Sequence, residues 1–164
     1  DDYVSIHKKE ARPVTSFDFK RLGGYFSRDL LACSQVVFVD RVFLPPMSKM
    51  GLSFFGQFEQ TPYSGITYKD TFFLAPEAHF KESTWFHEMV HIVQWDELKP
   101  EQFLITYAVG LLTKGYRDSP LEAMAYDLQA LFDAHQPIPD IDELIRNQTR
   151  MISESAGELI NTLK

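Results

Sequence analysis

Residues 85–95 are the stretch that most constrains how this 164-residue chain can fold. Apart from two histidines, one glutamate and one glutamine, every residue in this stretch is apolar, and the apolar positions fall on all sides of a helix. Other elements must cover such a helix on every side. We therefore predict a central buried helix over residues 82–96, with Ser83 or Thr84 as its N-cap.

The elements expected around this helix are strands before it and helices after it. β-Branched and aromatic runs bounded by turn residues predict strands at 36–44, 66–68 and 71–74, and a further strand near 54–58. Helical spacing and Pro or Gly boundaries predict helices from 100 to Gly115, from Ser119-Pro120 to about 135, and over 140–164. This order favours an α+β fold with a small antiparallel or mixed sheet, followed by the buried helix and a helical C-terminal half.

We expect a single domain over residues 1–164, because no repeat and no Gly/Ser-rich linker divides the sequence. Residues 1–15 are polar and contain Pro13, so we expect a loose N-terminal arm. A short helix beginning at Ser16 or Asp18 is expected to follow, although Gly23-Gly24 weakens it.

Composition excludes several classes of protein. The chain is 45% apolar and 24% charged, as in ordinary globular domains, and its net charge of −7 argues against nucleic acid or an anionic membrane as a partner. No apolar stretch is long enough to predict a membrane span. Cys33 is the single cysteine and is expected to be a small buried apolar residue. The oligomeric state and the compartment stay open.

The buried helix contains the pattern H-E-x-x-H at His87, Glu88 and His91. A spacing of four residues places both imidazoles on one helix face, where they can bind one Zn²⁺, and Glu88 beside them can act as general base on a metal-bound water. The alternative is a core helix whose polar side chains bond to neighbouring backbone. Gln94 lies on the same stripe and is expected either to line the cleft or simply to pack.

A catalytic zinc needs a third protein ligand and one open position. Glu122, one turn inside the helix that begins near Pro120, is the leading candidate, and the small Ala125 would let that helix approach the metal. Glu122 can instead close a capping box with Ser119. His79, in a loop, and His135, at a helix end, are the rival ligands.

Residues 87–95 (HEMVHIVQW) and 116–126 (YRDSPLEAMAY) resemble the gluzincin group of zinc metallopeptidases, and in particular small bacterial gluzincin-like domains. The resemblance covers roughly residues 16–135. It implies that His87, His91 and Glu122 bind one zinc per chain and that Glu88 is the general base. Thermolysin-like members carry an acidic residue four positions after the glutamate ligand, whereas this chain has Tyr126 there and Asp127 next to it.

These features predict a zinc-dependent peptidase that acts on a peptide or protein substrate. Tyr116 and Tyr126 are candidate hydrogen-bond donors to the oxyanion, and the substrate can add as a strand to the edge of the predicted hairpin. A non-catalytic zinc module with a regulatory or binding role is one alternative. Hydrolysis of a non-peptide amide or ester at the same site is the other.

Overall fold

The structure is a computed structural model and describes residues 2–42 and 63–162. The helices are α1 (Asp2–His7), α2 (Arg28–Cys33), α3 (Glu82–Lys114), α4 (Pro120–Asp133) and α5 (Ile141–Thr162). The strands are β1 (Arg12–Pro13), β2 (Gln35–Phe38), β3 (Gly65–Tyr68) and β4 (Thr71–Leu74). Short 3₁₀ turns occupy Val14–Ser16, Leu22–Gly24 and Pro76–Ala78.

The four strands form one mixed sheet in the order β1-β2-β4-β3. β2 runs parallel to β4, while β1–β2 and β3–β4 are antiparallel. The predicted hairpin is confirmed, with Lys69 and Asp70 between its strands and Lys69 in the left-handed region at φ 58°. The α+β fold class predicted from the sequence is therefore confirmed, and the sheet is mixed.

The buried helix is confirmed as the first half of α3. Residues 85–95 are all buried because strands β3 and β4 pack on one side of this half-helix and α4 and α5 pack on the others. Lys99, with φ 60° and ψ 165°, interrupts the helix before Pro100, so residues 100–114 change direction. This second half ends at Gly115, as predicted, where φ is 78°. No helix in the described ranges is long and apolar enough to cross a membrane.

The prediction of a loose N-terminal arm over residues 1–15 is wrong. Arg12–Pro13 pairs with β2, Val14 is only 3% exposed, and its N–H donates to Ser34 O at 3.0 Å. Pro13 is compatible with this position because β1 is an edge strand of the described sheet, where a missing N–H costs little.

The predicted helix from Ser16 or Asp18 is also wrong. Two 3₁₀ turns take its place, and the regular helix, α2, starts only at Arg28. Ser27 is its N-cap and its Oγ accepts from Leu30 N at 3.2 Å. Cys33 is exposed rather than buried, because it lies on the outer side of the last turn of α2.

Two further boundaries differ from prediction. β2 ends at Phe38, and Val42 instead forms an isolated antiparallel bridge with Tyr63. The first turn of α3 begins after Lys81 without a side-chain cap, so neither Ser83 nor Thr84 is its N-cap. The strand expected near 54–58 lies outside the described residues.

Candidate metal centre

Three potential ligand atoms converge between α3 and α4. Oε2 of Glu122 lies 3.4 Å from Nε2 of His87 and 3.4 Å from Nε2 of His91, and the two nitrogens are 3.1 Å apart. Ligands of a tetrahedral zinc ion with bonds of about 2.0–2.1 Å lie about 3.3 Å from one another. The separations in this cluster thus suit a single zinc ion. All three residues are at most 6% exposed.

Local sequence explains why these side chains meet. His87 and His91 are one turn apart on α3, so their rings leave the same face. Glu122 sits in the first turn of α4, which packs against that face. Ala125, one turn later, is fully buried, and its small side chain permits the close approach that the sequence suggested.

The two oxygens of Glu122 have different surroundings. Oε1 accepts a hydrogen bond of 2.7 Å from the hydroxyl of Tyr107, whereas Oε2 is buried and accepts none from the part of the chain that the structure describes. A buried carboxylate oxygen without a donor is costly, and a cation beside it removes that cost. The donor set of two imidazole nitrogens and one carboxylate oxygen is also one that zinc prefers, so the residues fit the ion.

The electrostatics of the cluster also favour a positive charge beside Glu122. Burial opposes the charged form of His91, but the adjacent carboxylates of Glu122 and Glu88 raise its pKa to about 9. Burial likewise opposes ionisation of Glu122, but His91 and His87 bring its pKa well below its usual range. Positive charge is therefore favoured where the three ligand atoms meet, supplied by a proton in the metal-free protein or by a metal ion.

The capping-box alternative for Glu122 is wrong. Ser119 is the N-cap of α4 by backbone conformation, yet its side chain makes no cap hydrogen bond. Its hydroxyl oxygen is instead buried without a partner among the described residues. The Glu122 carboxylate turns away from the helix start and toward Tyr107 and the two histidines.

The rival histidine ligands lie elsewhere. His79 is half-buried, its Nε2 lies 3.2 Å from Leu74 O, and its ring is 4.0 Å from that of Phe38. His135 is exposed just beyond α4, in the left-handed region at φ 56°. Neither belongs to the cluster formed by His87, His91 and Glu122.

Each histidine is also bonded through its other ring nitrogen. Nδ1 of His91 is 2.8 Å from Oε1 of Gln94, and Nδ1 of His87 is 3.1 Å from Oε1 of Gln129. Gln94 therefore does more than line a cleft or pack. Sequence reasoning missed Gln129, although it lies seven residues after Glu122, on the same face of α4.

Glu88 lies beside the cluster and is held by β3. Its Oε2 accepts a hydrogen bond of 2.7 Å from the hydroxyl of Thr67, and the side chain is 4% exposed. Burial raises its pKa above the usual value, against the opposing effect of His87 and His91. Gly65 leaves room for this carboxylate, because a Cβ there would lie 2.9 Å from Cδ of Glu88 and closer still to Oε1.

The two candidate tyrosines have different positions. Tyr116 lines the cavity above the cluster together with His87, His91 and Glu88. Tyr126 packs its ring 4.6 Å from that of His87, and the guanidinium of Arg117 covers it at 3.7 Å. Both tyrosines also line an adjoining cavity with His87 and Glu88, so Tyr126 borders the cluster as well as packing against His87.

The cluster opens onto a cavity with one apolar wall. β3 forms one side, and Trp95, Phe103 and Leu104 of α3 form the other. β3 is, like β1, an edge strand of the described sheet. The bond from Ala75 N to Ser64 O, at 2.9 Å, and the β3–β4 register together place the backbone polar groups of Gly65 on the outer side of this edge.

Comparisons with known proteins give no further identification: no protein-family model, curated protein or solved structure matches this chain.

Proposed function

We propose that this chain is a zinc-dependent peptidase of the gluzincin type, in which His87, His91 and Glu122 hold one zinc ion and Glu88 is the general base. The observation that carries the proposal is the buried Oε2 of Glu122, which accepts no hydrogen bond from the described residues and lies 3.4 Å from Nε2 of each histidine. Three lone-pair atoms meet there beside a second carboxylate, that of Glu88, and a divalent cation satisfies all three.

A zinc ion in this cluster would supply a Lewis acid and lower the pKa of water from 15.7 to about 7. Glu88 is placed to take a proton from water and to pass it to the leaving amine of the peptide. The hydroxyl of Thr67 holds its carboxylate at 2.7 Å, so one oxygen is fixed and the other is available for proton transfer. The buried setting raises the pKa of Glu88, which makes it a better proton acceptor than a free carboxylate.

Three protein ligands support a catalytic centre over a structural one. Structural zinc sites usually fill all four positions with protein side chains, whereas catalytic sites keep one open. Among the residues that the structure describes, three ligating side chains converge at this point. Glu88 lies next to them, and a purely structural site has no use for a base.

The edge of β3 supports a peptide as the substrate. Gly65 presents its N–H and C=O on the outer side of the edge and lies directly against Glu88. A substrate strand that pairs with Gly65 would bring a backbone carbonyl close to the base and the three ligands. The hydroxyl of Tyr116, whose pKa burial and Glu122 raise well above the usual range, keeps its proton and can donate to the developing oxyanion.

The test combines metal analysis with digestion of a peptide library. We expect one zinc per chain and cleavage of peptide bonds that is lost on chelation and restored by zinc. Absence of zinc from protein refolded with an excess of the metal would overturn the proposal. Zinc binding without cleavage of any peptide would leave the metal site but remove the peptidase assignment.

A further inference from the structure

Both histidines of the metal cluster are bonded to glutamine amides, and each glutamine is bonded in turn to groups that fix which way its amide faces. We propose that Gln94 and Gln129 are positioning residues that select the Nδ1–H tautomer of His91 and His87 and so direct both Nε2 lone pairs at one metal ion. This inference rests on the proposed metal site and extends it to residues that do not touch the metal.

Gln129, Ser83 and Asp133 form a chain of hydrogen bonds. Nε2 of Gln129 donates to Ser83 Oγ at 2.8 Å, and the Ser83 hydroxyl donates to Asp133 Oδ2 at 2.9 Å. An ionised carboxylate only accepts hydrogen bonds, so Ser83 has to donate to it and can only accept from Gln129. Oε1 of Gln129 must then face His87, 3.1 Å away, and Nδ1 of His87 must carry the proton.

Contacts with α4 likewise fix the orientation of the Gln94 amide. Its Nε2 donates to the backbone oxygen of Leu121 at 3.0 Å and lies 3.5 Å from Sδ of Met124. A carbonyl oxygen and a thioether sulfur are both acceptors, so the amide nitrogen has to face them. Oε1 is left to accept from Nδ1 of His91 at 2.8 Å. Gln94 is fully buried, so no solvent competes for these bonds.

The two hydrogen-bond chains thus end on groups that can only accept. Each chain orients its histidine so that Nδ1 is the donor to the glutamine. When both imidazoles are neutral, as metal binding requires, their Nε2 lone pairs lie 3.1 Å apart and face Glu122. An amide differs from a carboxylate here because it orients the imidazole without adding negative charge. Partners of metal-bound histidines typically change metal affinity by about 10- to 100-fold when they are removed.

The test measures zinc affinity by competition with a chelator, which needs no substrate and no turnover. We expect Gln129→Met, which keeps the side-chain length but removes the acceptor, to lower zinc affinity about 10- to 100-fold. Gln129→Glu keeps the acceptor for His87 but loses the donor to Ser83, so it should lose less zinc affinity than Gln129→Met. Gln102→Met is the matched control, because Gln102 also bonds a serine on a neighbouring helix, Ser153 at 2.7 Å, but contacts neither histidine.

Ser83→Ala is a second, milder variant. It tests whether Ser83 acts on the metal site through Gln129. It should weaken zinc binding in the parent, because the Gln129 amide is no longer held, and should cause no further loss in the Gln129→Met protein. A purely structural role for Ser83 predicts equal losses in both backgrounds. The Co²⁺-substituted protein should show an altered visible spectrum in Gln129→Met and an unaltered one in Gln102→Met.

The inference is overturned if Gln129→Met and Ser83→Ala bind zinc as tightly as the parent and show its Co²⁺ spectrum. If the parent itself binds no zinc, the proposed function fails instead, so the two failures are distinguishable. Thermal unfolding of the metal-free variants identifies any that fail to fold, and Ser83→Ala carries the test if Gln129→Met is one of them.

Discussion

The hydroxyl of Tyr107 donates a hydrogen bond of 2.7 Å to Oε1 of Glu122, across the interface between the second half of α3 and the start of α4. Burial and the adjacent carboxylate raise the pKa of Tyr107 well above its usual range, so the phenol keeps its proton and acts only as donor toward Glu122. This bond occupies one carboxylate oxygen and turns the other toward the two histidines. The geometry of the cluster therefore depends on a residue outside the three proposed ligands.

We expect Tyr107→Phe to lower zinc affinity by about 10-fold or more, because Glu122 loses the contact that orients it. Chelator competition measures the change. Tyr25→Phe is the control, since the Tyr25 hydroxyl donates to Gln136 O at 2.9 Å, a backbone group away from the metal cluster. Equal zinc affinity in Tyr107→Phe and the parent would show that packing alone orients Glu122.

Glu122→Gln should lower zinc affinity by orders of magnitude, because the amide lacks the negative charge that the cation requires. The metal-free protein should also lose some thermal stability, because the Glu122 carboxylate pairs there with His91, whose pKa it raises. The loss should be larger when both proteins are compared with zinc present. Glu143→Gln is the matched control, because Glu143 lies in the first turn of α5 and is exposed. A Glu122→Gln protein that binds zinc like the parent would contradict the ligand assignment.

Glu88→Gln should retain zinc and fold but lose at least about 10²-fold in peptide hydrolysis, because an amide cannot accept the proton. Metal analysis and steady-state kinetics on the same preparation separate binding from catalysis. The exposed Glu77→Gln should behave as the parent in both measurements. Hydrolysis at the parental rate in Glu88→Gln would assign the base to another group.

Gly65→Ala should reduce hydrolysis strongly while zinc stays bound. The added Cβ would lie 2.9 Å from Cδ of Glu88 and 3.0 Å from a methyl carbon of Leu74, so the carboxylate has to move away from Thr67. Gly157→Ala is the control, because nothing lies within 4 Å of its added Cβ, and a helix interior gains about 0.5–1 kcal/mol from this change. Full activity in Gly65→Ala would show that Glu88 tolerates displacement.

Arg146→Met should destabilise the protein by about 1 kcal/mol at pH 7, because Arg146 of α5 pairs with Asp96 at 2.8 Å and with Glu97 at 3.2 Å. Hydrogen bonds from Lys99 and Arg146 lower the pKa of Asp96, and those from Arg150 and Arg146 lower that of Glu97 despite its burial. A carboxylate with a lowered folded-state pKa stabilises the fold above its unfolded pKa and loses this contribution as the pH falls through the folded value.

The difference between parent and Arg146→Met should accordingly shrink as the pH falls below about 4. Urea unfolding of the metal-free proteins at pH 7 and pH 3 measures it, with Arg28→Met, at the exposed start of α2, as the control. A difference of the same size at both pH values would assign the effect of Arg146 to packing of its alkyl chain.

The sequence by itself determined the order of the main elements and the core of the candidate site. An apolar helix could be recognised as buried, and the spacing of His87 and His91 could be converted into a shared face, because both follow from the 3.6-residue repeat of a single helix. The Lys69-Asp70 hairpin and the end of α3 at Gly115 could also be predicted, because each depends on the conformations of a few adjacent residues.

Only the tertiary structure decided which partners the polar side chains have. Tyr107, Gln129 and Thr67 reach the cluster from different elements, and nothing in their local sequence separates them from residues that simply pack. The capping box at Ser119 was a sound local alternative, yet Glu122 bonds to Tyr107 instead. The reason is physical: a hydrogen bond needs its donor within about 3 Å, and which donor comes that close depends on how helices and strands distant in sequence pack.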